Sequence, residues 1–386
     1  MKITQIKLTP LFLAFKQPYH WSGRVDYGTC VVMAEVRTDS GLVGYGESTS
    51  AFPAEGSLEL LGNVVPYLLG QSPFNVDRLI WRSRHLGLIN DAIRFPNLAL
   101  TGLDMALWDI IGQASGRPLY ELMGGLAQDE IDYFSFVQGD TAPELTESVQ
   151  ELLKNSGRVI YMKVGRGEIS DVENTAAVRK AIGDNYKLRV DGNEAWNVFT
   201  AKNMIKKLSQ FDLEFVEQPT ACRTIAALKQ VKVNSPVPIA ADQSVYSLQE
   251  AYDLCRQEAA DVLVLSPHET GGLGPFKKTA AVAEAAGIPV CLHGQFTSGI
   301  TDLVHHHLAL TVPNLTDGNQ IMHQLLKEDI LDGAPMEPVK GKIGVPPAEP
   351  GFGLKLNWDA VGRAAEAYKK WTGDKKKNVD LVYSYK

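Results

Sequence analysis

Apolar and polar positions alternate with a period of two along the first part of the chain. Val31 to Arg37 is rich in β-branched and apolar residues, and the turn Asp39-Ser40-Gly41-Leu42 follows it. Up to about Gly46 this pattern predicts an antiparallel meander. From Ser57 to Gly124 the apolar spacing becomes that of helices, with small residues on one face. We therefore predict an α+β domain over residues 1–125.

A different pattern begins near Ile131, where short apolar runs bounded by turn residues alternate with amphipathic helical stretches. Strands that are apolar on both faces and joined by helices indicate a parallel sheet, and about eight such units over residues 126–337 indicate a closed TIM-type (β/α) barrel. Residues 338–386 are expected to return to the first domain and complete it as a cap. The predicted strands are 133–137, 159–164, 187–191, 214–218, 238–242, 261–265, 289–293 and a weaker one near Leu315.

Composition and charge restrict the class of protein. Hydrophobic residues make up 45% of the 386 residues and charged residues 22%, as in ordinary globular proteins. The net charge is −7 and the dense basic run is confined to Lys375 to Lys377, which argues against nucleic acid as a partner. No apolar run reaches the roughly 20 residues of a membrane span. The four cysteines are far apart and the N-terminus lacks a signal-peptide pattern, so we expect a cytoplasmic protein with reduced thiols.

Polar residues follow the predicted barrel strands at the same place in successive units. The carboxyl ends of barrel strands form the active-site face, so side chains at these places are expected to meet at one mouth. Surface charge scattered at random would not keep such a spacing. Six residues occur at intervals of 24 to 28 positions, one per strand–helix unit: Lys163, Asp191, Glu217, Asp242, Ser266 and His293.

Asp191, Glu217 and Asp242 are acids on three successive strands. Carboxylates that converge on one mouth repel one another, and a hard cation at their centre removes that cost. Ligands that are all oxygen favour Mg²⁺, with Mn²⁺ as the alternative. A single acid at such a place is more often a helix cap or an ion-pair partner, but three in phase favour a metal site.

Lys163 and His293 are the candidate acid–base groups. Tyr161 and Lys163 point to the same side of their strand, and a lysine amine that faces the barrel beside a dication becomes available as a base. His293 ends the seventh strand across the mouth, where it would act on the other face of a substrate. A surface lysine and a hydrogen-bonded structural histidine are the alternatives. His268 and Glu269, at the start of the loop after the sixth strand, are weaker candidates.

Over almost its whole length the chain resembles the enolase superfamily, in the mandelate racemase and muconate lactonizing enzyme branch. Asp191-Gly192-Asn193-Glu194-Ala195-Trp196 matches the D-x-N-x-x-W signature, and Glu217-Gln218-Pro219 matches the next metal-ligand motif. Each motif alone is weak, whereas their combination is highly specific. Further segments that resemble family motifs are Thr101 to Gly125, Lys163 to Arg166, Ala241 to Ser244, and Gly271-Gly272.

The resemblance implies a site, a cap and an assembly. The three acids would hold Mg²⁺, Lys163 would be the general base, and specificity loops of the cap would lie near residues 17–24 and 48–54. Members of this family are often homo-oligomers, so we expect one here. Weaker candidates for contact with substrate or support of the site are Tyr161, Asn193, Ser266, His268, Tyr19, His20, Trp21, Arg24 and Phe52.

Three positions depart from the family pattern. Tyr161 stands where the family often has a first lysine, and Gln243 replaces the usual glutamate beside the third ligand. Ser266 stands where muconate-type enzymes carry a lysine and racemase-type enzymes carry an aspartate paired with a histidine. His293 fits that histidine. The sequence therefore matches neither standard acid–base pair completely.

The implied reaction removes the proton next to the carboxylate of a small-molecule acid and gives an enediolate that the metal stabilises. Return of the proton by His293 would make the enzyme a racemase or epimerase, which is the expected reaction. A hydroxy-acid dehydratase, of the acid-sugar type, and a cycloisomerase are the alternatives. A metal-binding barrel without turnover is the alternative from another class, and the intact Lys163 argues against it.

Overall fold

The computed structural model describes residues 1–22, 24–49, 54–87, 93–333, 336–372 and 381–384. Phe52, a predicted site residue, lies outside these ranges, as do the other residues from 50 to 53 in the predicted 48–54 loop. For Arg24 the description covers the backbone and leaves out the side chain.

The N-terminal part of the chain forms an antiparallel sheet. Its first strands are consecutive in sequence: β1 (Ile3–Trp21), β2 (Arg24–Thr38) and β3 (Val43–Thr49). β1 and β2 form a long hairpin whose pairing is interrupted between Ala14 and Tyr19 and resumes at the tip, where Trp21 lies opposite Arg24. The predicted meander is present, and the predicted 17–24 loop is mostly the paired tip of this hairpin.

Helices follow these strands and cover one face of the sheet: α1 (Glu55–Val64), α2 (Val76–Gly87), α3 (Phe95–Ser115) and α4 (Leu119–Leu122). α3 lies directly against β3, because glycines let the two backbones approach. A Cβ atom on Gly46 would lie 2.0 Å from the carbonyl oxygen of Gly102, and one on Gly102 would lie 2.3 Å from Ser48 Oγ. Neither position has room for a side chain, so this contact fixes β3 against its helix.

Strands and helices then alternate through the centre of the chain. Seven of these strands form one parallel sheet in which each strand neighbours the next in sequence. This order, with helices as the crossovers, confirms the predicted (β/α) barrel architecture. The elements are β4 (Glu130–Asp132), β5 (Ser135–Phe136), α5 (Ala142–Leu152), β6 (Val159–Lys163), α6 (Glu168–Ile182), β7 (Lys187–Asp191), α7 (Val198–Leu208), β8 (Leu213–Glu217), α8 (Ile225–Lys232), β9 (Ile239–Ala241), α9 (Leu248–Arg256), β10 (Val262–Leu265), α10 (Pro267–Thr270), α11 (Leu273–Ala285), β11 (Val290–Leu292) and α12 (Gly299–Ala309).

An irregular segment stands where the weak eighth strand was predicted. Leu315 bridges in parallel to Val290 of β11, and Asn319 bridges in parallel to Tyr133 just before β5. The segment therefore joins the two edges of the curved sheet without forming a regular strand. One reason is that a side chain replaces a backbone partner: Leu292 N donates to Asn319 Oδ1 at 2.8 Å.

The last part of the chain returns to the N-terminal sheet. β12 (Lys342–Gly344) pairs with β4, α13 (Trp358–Thr372) packs on β1, and β13 (Leu381–Ser384) runs antiparallel to β1 as the fourth strand. We call this four-stranded sheet with α1 to α3 the cap. One large apolar core includes one face of the barrel strands, and a small cluster of Phe215, Ala240, Val262, Val264 and Cys291 lies on the other face. Another core lies between the cap sheet and its helices. Among the described residues, no helix is both long enough and apolar enough to cross a bilayer.

Candidate active site

The carboxyl ends of β6 to β11 form one mouth, where the residues predicted from the strand spacing lie. Lys163, Asp191 and Glu217 are the last residues of three adjacent strands, β6, β7 and β8. The register places Lys163 opposite Asp191 and Asp191 opposite Glu217. Asp242 and His293 directly follow the last residues of β9 and β11. The barrel therefore brings all five of these side chains to one end of the sheet.

The three carboxylates at the mouth are buried, with exposed fractions of 0% for Asp191, 1% for Glu217 and 0% for Asp242. Tyr161 Oη lies 2.7 Å from Asp191 Oδ2 and 3.0 Å from Glu217 Oε1, so one phenol is shared between two acids. Burial, and then the charge of Asp191, raises the pKa of Glu217, and burial raises the pKa of Asp242 well above its usual range. Negative charge at the mouth is therefore costly unless a cation offsets it.

The residues present fit a hard divalent cation. Glu217 Oε2 is buried and has no hydrogen-bond partner within the described part of the chain. Since buried polar atoms are normally paired, an orphaned carboxylate oxygen beside further acids indicates a ligand atom. The oxygen-only set of Asp191, Glu217 and Asp242 suits Mg²⁺. A second set, which would suit a softer ion, shares Asp242 and adds Glu269 and His293, with one donor atom from each within 4.8 Å of the others.

Lys163 points into the barrel mouth. Its Nζ lies 2.5 Å from Asp191 Oδ2, and its side chain is 13% exposed. The amine also lies 5.9 Å from the ring centre of Phe136 and lines the cavity above the acids. The structure therefore places this amine where the sequence predicts a base, within reach of a molecule held at the carboxylates.

His293 lies at the other end of the row of carboxylates. Its Nδ1 is 3.2 Å from Asp242 Oδ1 and 3.0 Å from Glu269 Oε2. Burial alone would lower the pKa of His293, but the charges of Asp242 and Glu269 outweigh it and raise the pKa to about 9. With Nδ1 held by these acids, Nε2 is the ring nitrogen left for a molecule in the cavity.

The acid beside His293 is Glu269, which is not at the position that the spacing of the strands selects. Ser266, the residue in phase after β10, is buried and caps α10, because its Oγ accepts from His268 N at 3.1 Å. His268 is buried too, with Nε2 2.7 Å from the carbonyl oxygen of Glu47, so neither residue lines the cavity. Glu269, the next residue of the one-turn helix α10, is the residue that lines it. The sequence feature that could have pointed to Glu269 is its position directly before the Thr270-Gly271-Gly272 turn.

The cap hairpin supplies one wall of the cavity, which measures about 390 Å³. Tyr19 and Trp21 line it, and Trp21 Nε1 donates to Asp26 Oδ2 at 2.8 Å. His20 lies between them on the strand and lines a separate groove with Glu144. Successive strand residues point to opposite faces, which accounts for the different position of His20; its place in the site stays a prediction.

Two amide side chains complete the floor of the cavity. Asn193, in a left-handed conformation with φ of 42°, donates its backbone N–H to Asp191 Oδ1 at 2.7 Å. The side chain of Gln243 donates to the carboxylate of Asp242. Further residues that line the cavity come from segments far apart in sequence, so a local sequence motif does not predict them. They include Thr29, Phe136, Tyr246, Gln295, Phe296, Gln320 and Met322.

Comparison with known families matches both parts of the chain. Residues 144–360 match the family model described as enolase C-terminal domain-like. Residues 6–124 match the mandelate racemase / muconate lactonizing enzyme N-terminal domain. The two matches together cover most of the barrel, from α5 onward, and the N-terminal part of the cap.

Several characterised proteins are similar over nearly full length. A chloromuconate cycloisomerase of Cupriavidus pinatubonensis is 30% identical over 375 residues, which is 95% of this chain and 99% of that protein. The L-Ala-D/L-Glu epimerase of Bacillus subtilis is 27% identical over 363 residues, or 92% and 97%. The crystal structure of a dipeptide epimerase from Enterococcus faecalis, complexed with Mg and a dipeptide, has a TM-score of 0.85 at 25% identity and covers 92% of this chain and 100% of that one.

Proposed function

Because the chain belongs to the mandelate racemase and muconate lactonizing enzyme branch of the enolase superfamily, we propose that this isomerase racemises or epimerises a small carboxylic acid. The reaction begins with removal of the proton next to the carboxylate. The proton then returns to the same carbon from the opposite side, which inverts its configuration.

One observation carries this proposal. Lys163 and His293 stand at the two ends of the row of buried carboxylates, and both line the same cavity. A molecule bound over the carboxylates would have the lysine amine at one side and the imidazole at the other. Racemisation needs a proton acceptor on one face of the carbon and a proton donor on the other, and this arrangement supplies both.

The carboxylates of Asp191, Glu217 and Asp242 would hold Mg²⁺. The ion, when bound, would offset the charge that develops on the substrate carboxylate as the proton leaves. The chain's own residues do the rest: Lys163 Nζ accepts the proton, and His293 delivers one from Nε2 while Glu269 keeps the ring oriented. The magnesium found in the dipeptide epimerase structure supports this assignment.

Cycloisomerisation is the second candidate reaction, and similarity to chloromuconate cycloisomerase favours it. It needs a proton donor or acceptor on one face alone. The His293–Glu269 pair on the second face is the feature that favours racemisation. A dehydratase would use the same pair to protonate a leaving hydroxyl, so product analysis separates the three reactions.

The test is deuterium wash-in. The protein is incubated with Mg²⁺ in D₂O and a broad library of carboxylic acids that includes dipeptides and hydroxy acids. We expect exchange of the α-proton in at least one acid, together with its inverted isomer. His293→Asn is expected to spare exchange from one enantiomer and to block it from the other. Exchange with none of the acids would favour a barrel that binds without turnover, and equal responses of both enantiomers would contradict the two-face arrangement.

A further inference from the structure

We propose that Glu47, on strand β3 of the cap, is a positioning residue for His293. This inference rests on the proposed function, in which His293 is the proton donor. The cap then does more than cover the cavity, because the side chain of Glu47 positions the barrel loop that contains His293.

Glu47 crosses from the cap into the barrel and is completely buried. Its Oε1 accepts from the backbone N–H of Ser298 at 2.9 Å, and its Oε2 accepts from the hydroxyl of Ser298. Ser298 is also the N-cap of α12, where its Oγ accepts from Ile300 N at 3.2 Å. The carboxylate of Glu47 therefore fixes the point at which the loop 293–298 becomes a helix.

That loop is short and internally bonded. At its start, His293 N donates to the carbonyl oxygen of Leu265 at 2.8 Å. Near its end, Thr297 Oγ1 donates to the carbonyl oxygen of Gln295 at 3.0 Å. The side chain of Gln295 lies 3.1 Å from both Glu269 Oε1 and His293 Nδ1. A shift at Ser298 would therefore move Gln295, whose side chain donates to Glu269, the acid that holds the ring of His293.

The same cap residue also holds the segment that carries the partner acid. The carbonyl oxygen of Glu47 lies 2.7 Å from Nε2 of His268, the residue next to Glu269. His268 is buried, which keeps its imidazole neutral and makes Nε2 the donor. Glu47 therefore contacts both barrel segments that build the His293–Glu269 pair, one through its side chain and one through its backbone.

In this contact both side-chain oxygens of Glu47 act as acceptors. Ser298 offers two donors, its N–H and its O–H, and a carboxylate accepts both. A glutamine has the same shape but would turn an NH₂ group towards one of these donors. Glu47→Gln therefore disturbs the loop while removing no volume from the core.

The experiment compares Glu47→Gln with Asp104→Asn. Asp104 is a matched control, since it is a buried cap carboxylate that accepts a barrel backbone N–H, that of Leu273 at 2.7 Å, far in sequence from the loop 293–298. Exchange from D₂O is measured separately on both enantiomers of the acid that the wild type exchanges fastest. We expect Glu47→Gln to slow exchange on the His293 face about tenfold or more, with the Lys163 face and KM within about twofold, because small misplacements cost large factors in rate. Asp104→Asn should leave both faces within about twofold.

Equal slowing of both faces by Glu47→Gln, or the same pattern in Asp104→Asn, would overturn the assignment. Crystal structures of the two variants give a reading that needs no substrate: the ring of His293 should be displaced or doubled in Glu47→Gln and unchanged in Asp104→Asn, and an undisplaced ring in both contradicts the inference. This separates the inference from the proposed function, which fails if the wild type exchanges no acid. Should Glu47→Gln not fold, Ser298→Ala removes one donor and is expected to show the same face selectivity more weakly.

Discussion

Two groups of buried carboxylates in this protein differ in what surrounds them. At the mouth of the barrel, three acids lie side by side, and Glu217 keeps a buried oxygen without a hydrogen-bond partner among the described residues. At the seam between cap and barrel, Glu47 and Asp104 each accept a backbone N–H of the barrel, at 2.9 Å and 2.7 Å. The seam acids come from the cap, and the mouth acids come from the barrel strands.

Burial and a raised pKa do not separate the two groups. Burial raises the pKa of Glu47 to about 8 and, with a smaller contribution from Asp77, that of Asp104 to about 7. Burial raises the pKa of Glu217 as well. The difference lies in the donors. The seam acids accept backbone N–H groups and join two elements, whereas Glu217 lies beside further acids with an oxygen left over, and the proposed cation site rests on that oxygen.

Lys163→Ala should have the largest effect on α-proton exchange, because it removes the amine that faces the acids at the barrel mouth. We expect α-proton exchange to fall by ~10³-fold or more, while Mg²⁺ affinity stays within about tenfold. Exchange in D₂O and calorimetric titration of the metal measure the two. Lys187→Ala is the matched control, since Lys187 stands at the opposite end of β7 in ion pairs with Glu214 and Asp317. Exchange that survives in Lys163→Ala removes the lysine from its role.

Glu217→Gln tests whether the orphaned oxygen is a metal ligand. We expect the affinity for Mg²⁺ or Mn²⁺ to fall by about 100-fold, because the charge and the free oxygen are both lost. Glu269→Gln serves as the comparison and should change the affinity by less than about tenfold. If Glu269→Gln weakens the ion as much as Glu217→Gln does, the set of Asp242, Glu269 and His293 holds the metal and the oxygen-only set does not.

Asp104→Asn should have the smallest effect, and the size of that effect depends on pH. The folded protein binds a proton at Asp104 up to a pH of about 7, whereas the unfolded chain releases it near pH 4, so this group makes stability fall as pH rises through that window. Asparagine keeps an oxygen for Leu273 N and never ionises. We therefore expect the variant to be more stable than the wild type by ~2 kcal/mol at pH 8 and nearly equal to it at pH 4. Denaturant unfolding at both pH values measures this, and a difference that is independent of pH would count against an ionised Asp104 at the seam.

The spacing of polar residues after apolar runs was enough to predict the row of acids. A strand–helix unit has a nearly constant length, so residues in phase along the chain lie side by side in the barrel, as Lys163, Asp191 and Glu217 do. The same rule failed after β10, where it selects Ser266. A short helix follows at that place, and one helical turn carries Glu269 back to the mouth.

By itself the sequence determined the (β/α) barrel, the family resemblance and the candidate metal ligands, because each depends on local periodicity and on motifs within one unit. The tertiary structure alone decided which acid stands beside His293, which face of the hairpin borders the cavity, and that Glu47 of the cap reaches Ser298 of the barrel. These contacts join segments as many as 251 positions apart. Nothing in the local pattern encodes them, since they arise from how the cap is laid on the barrel.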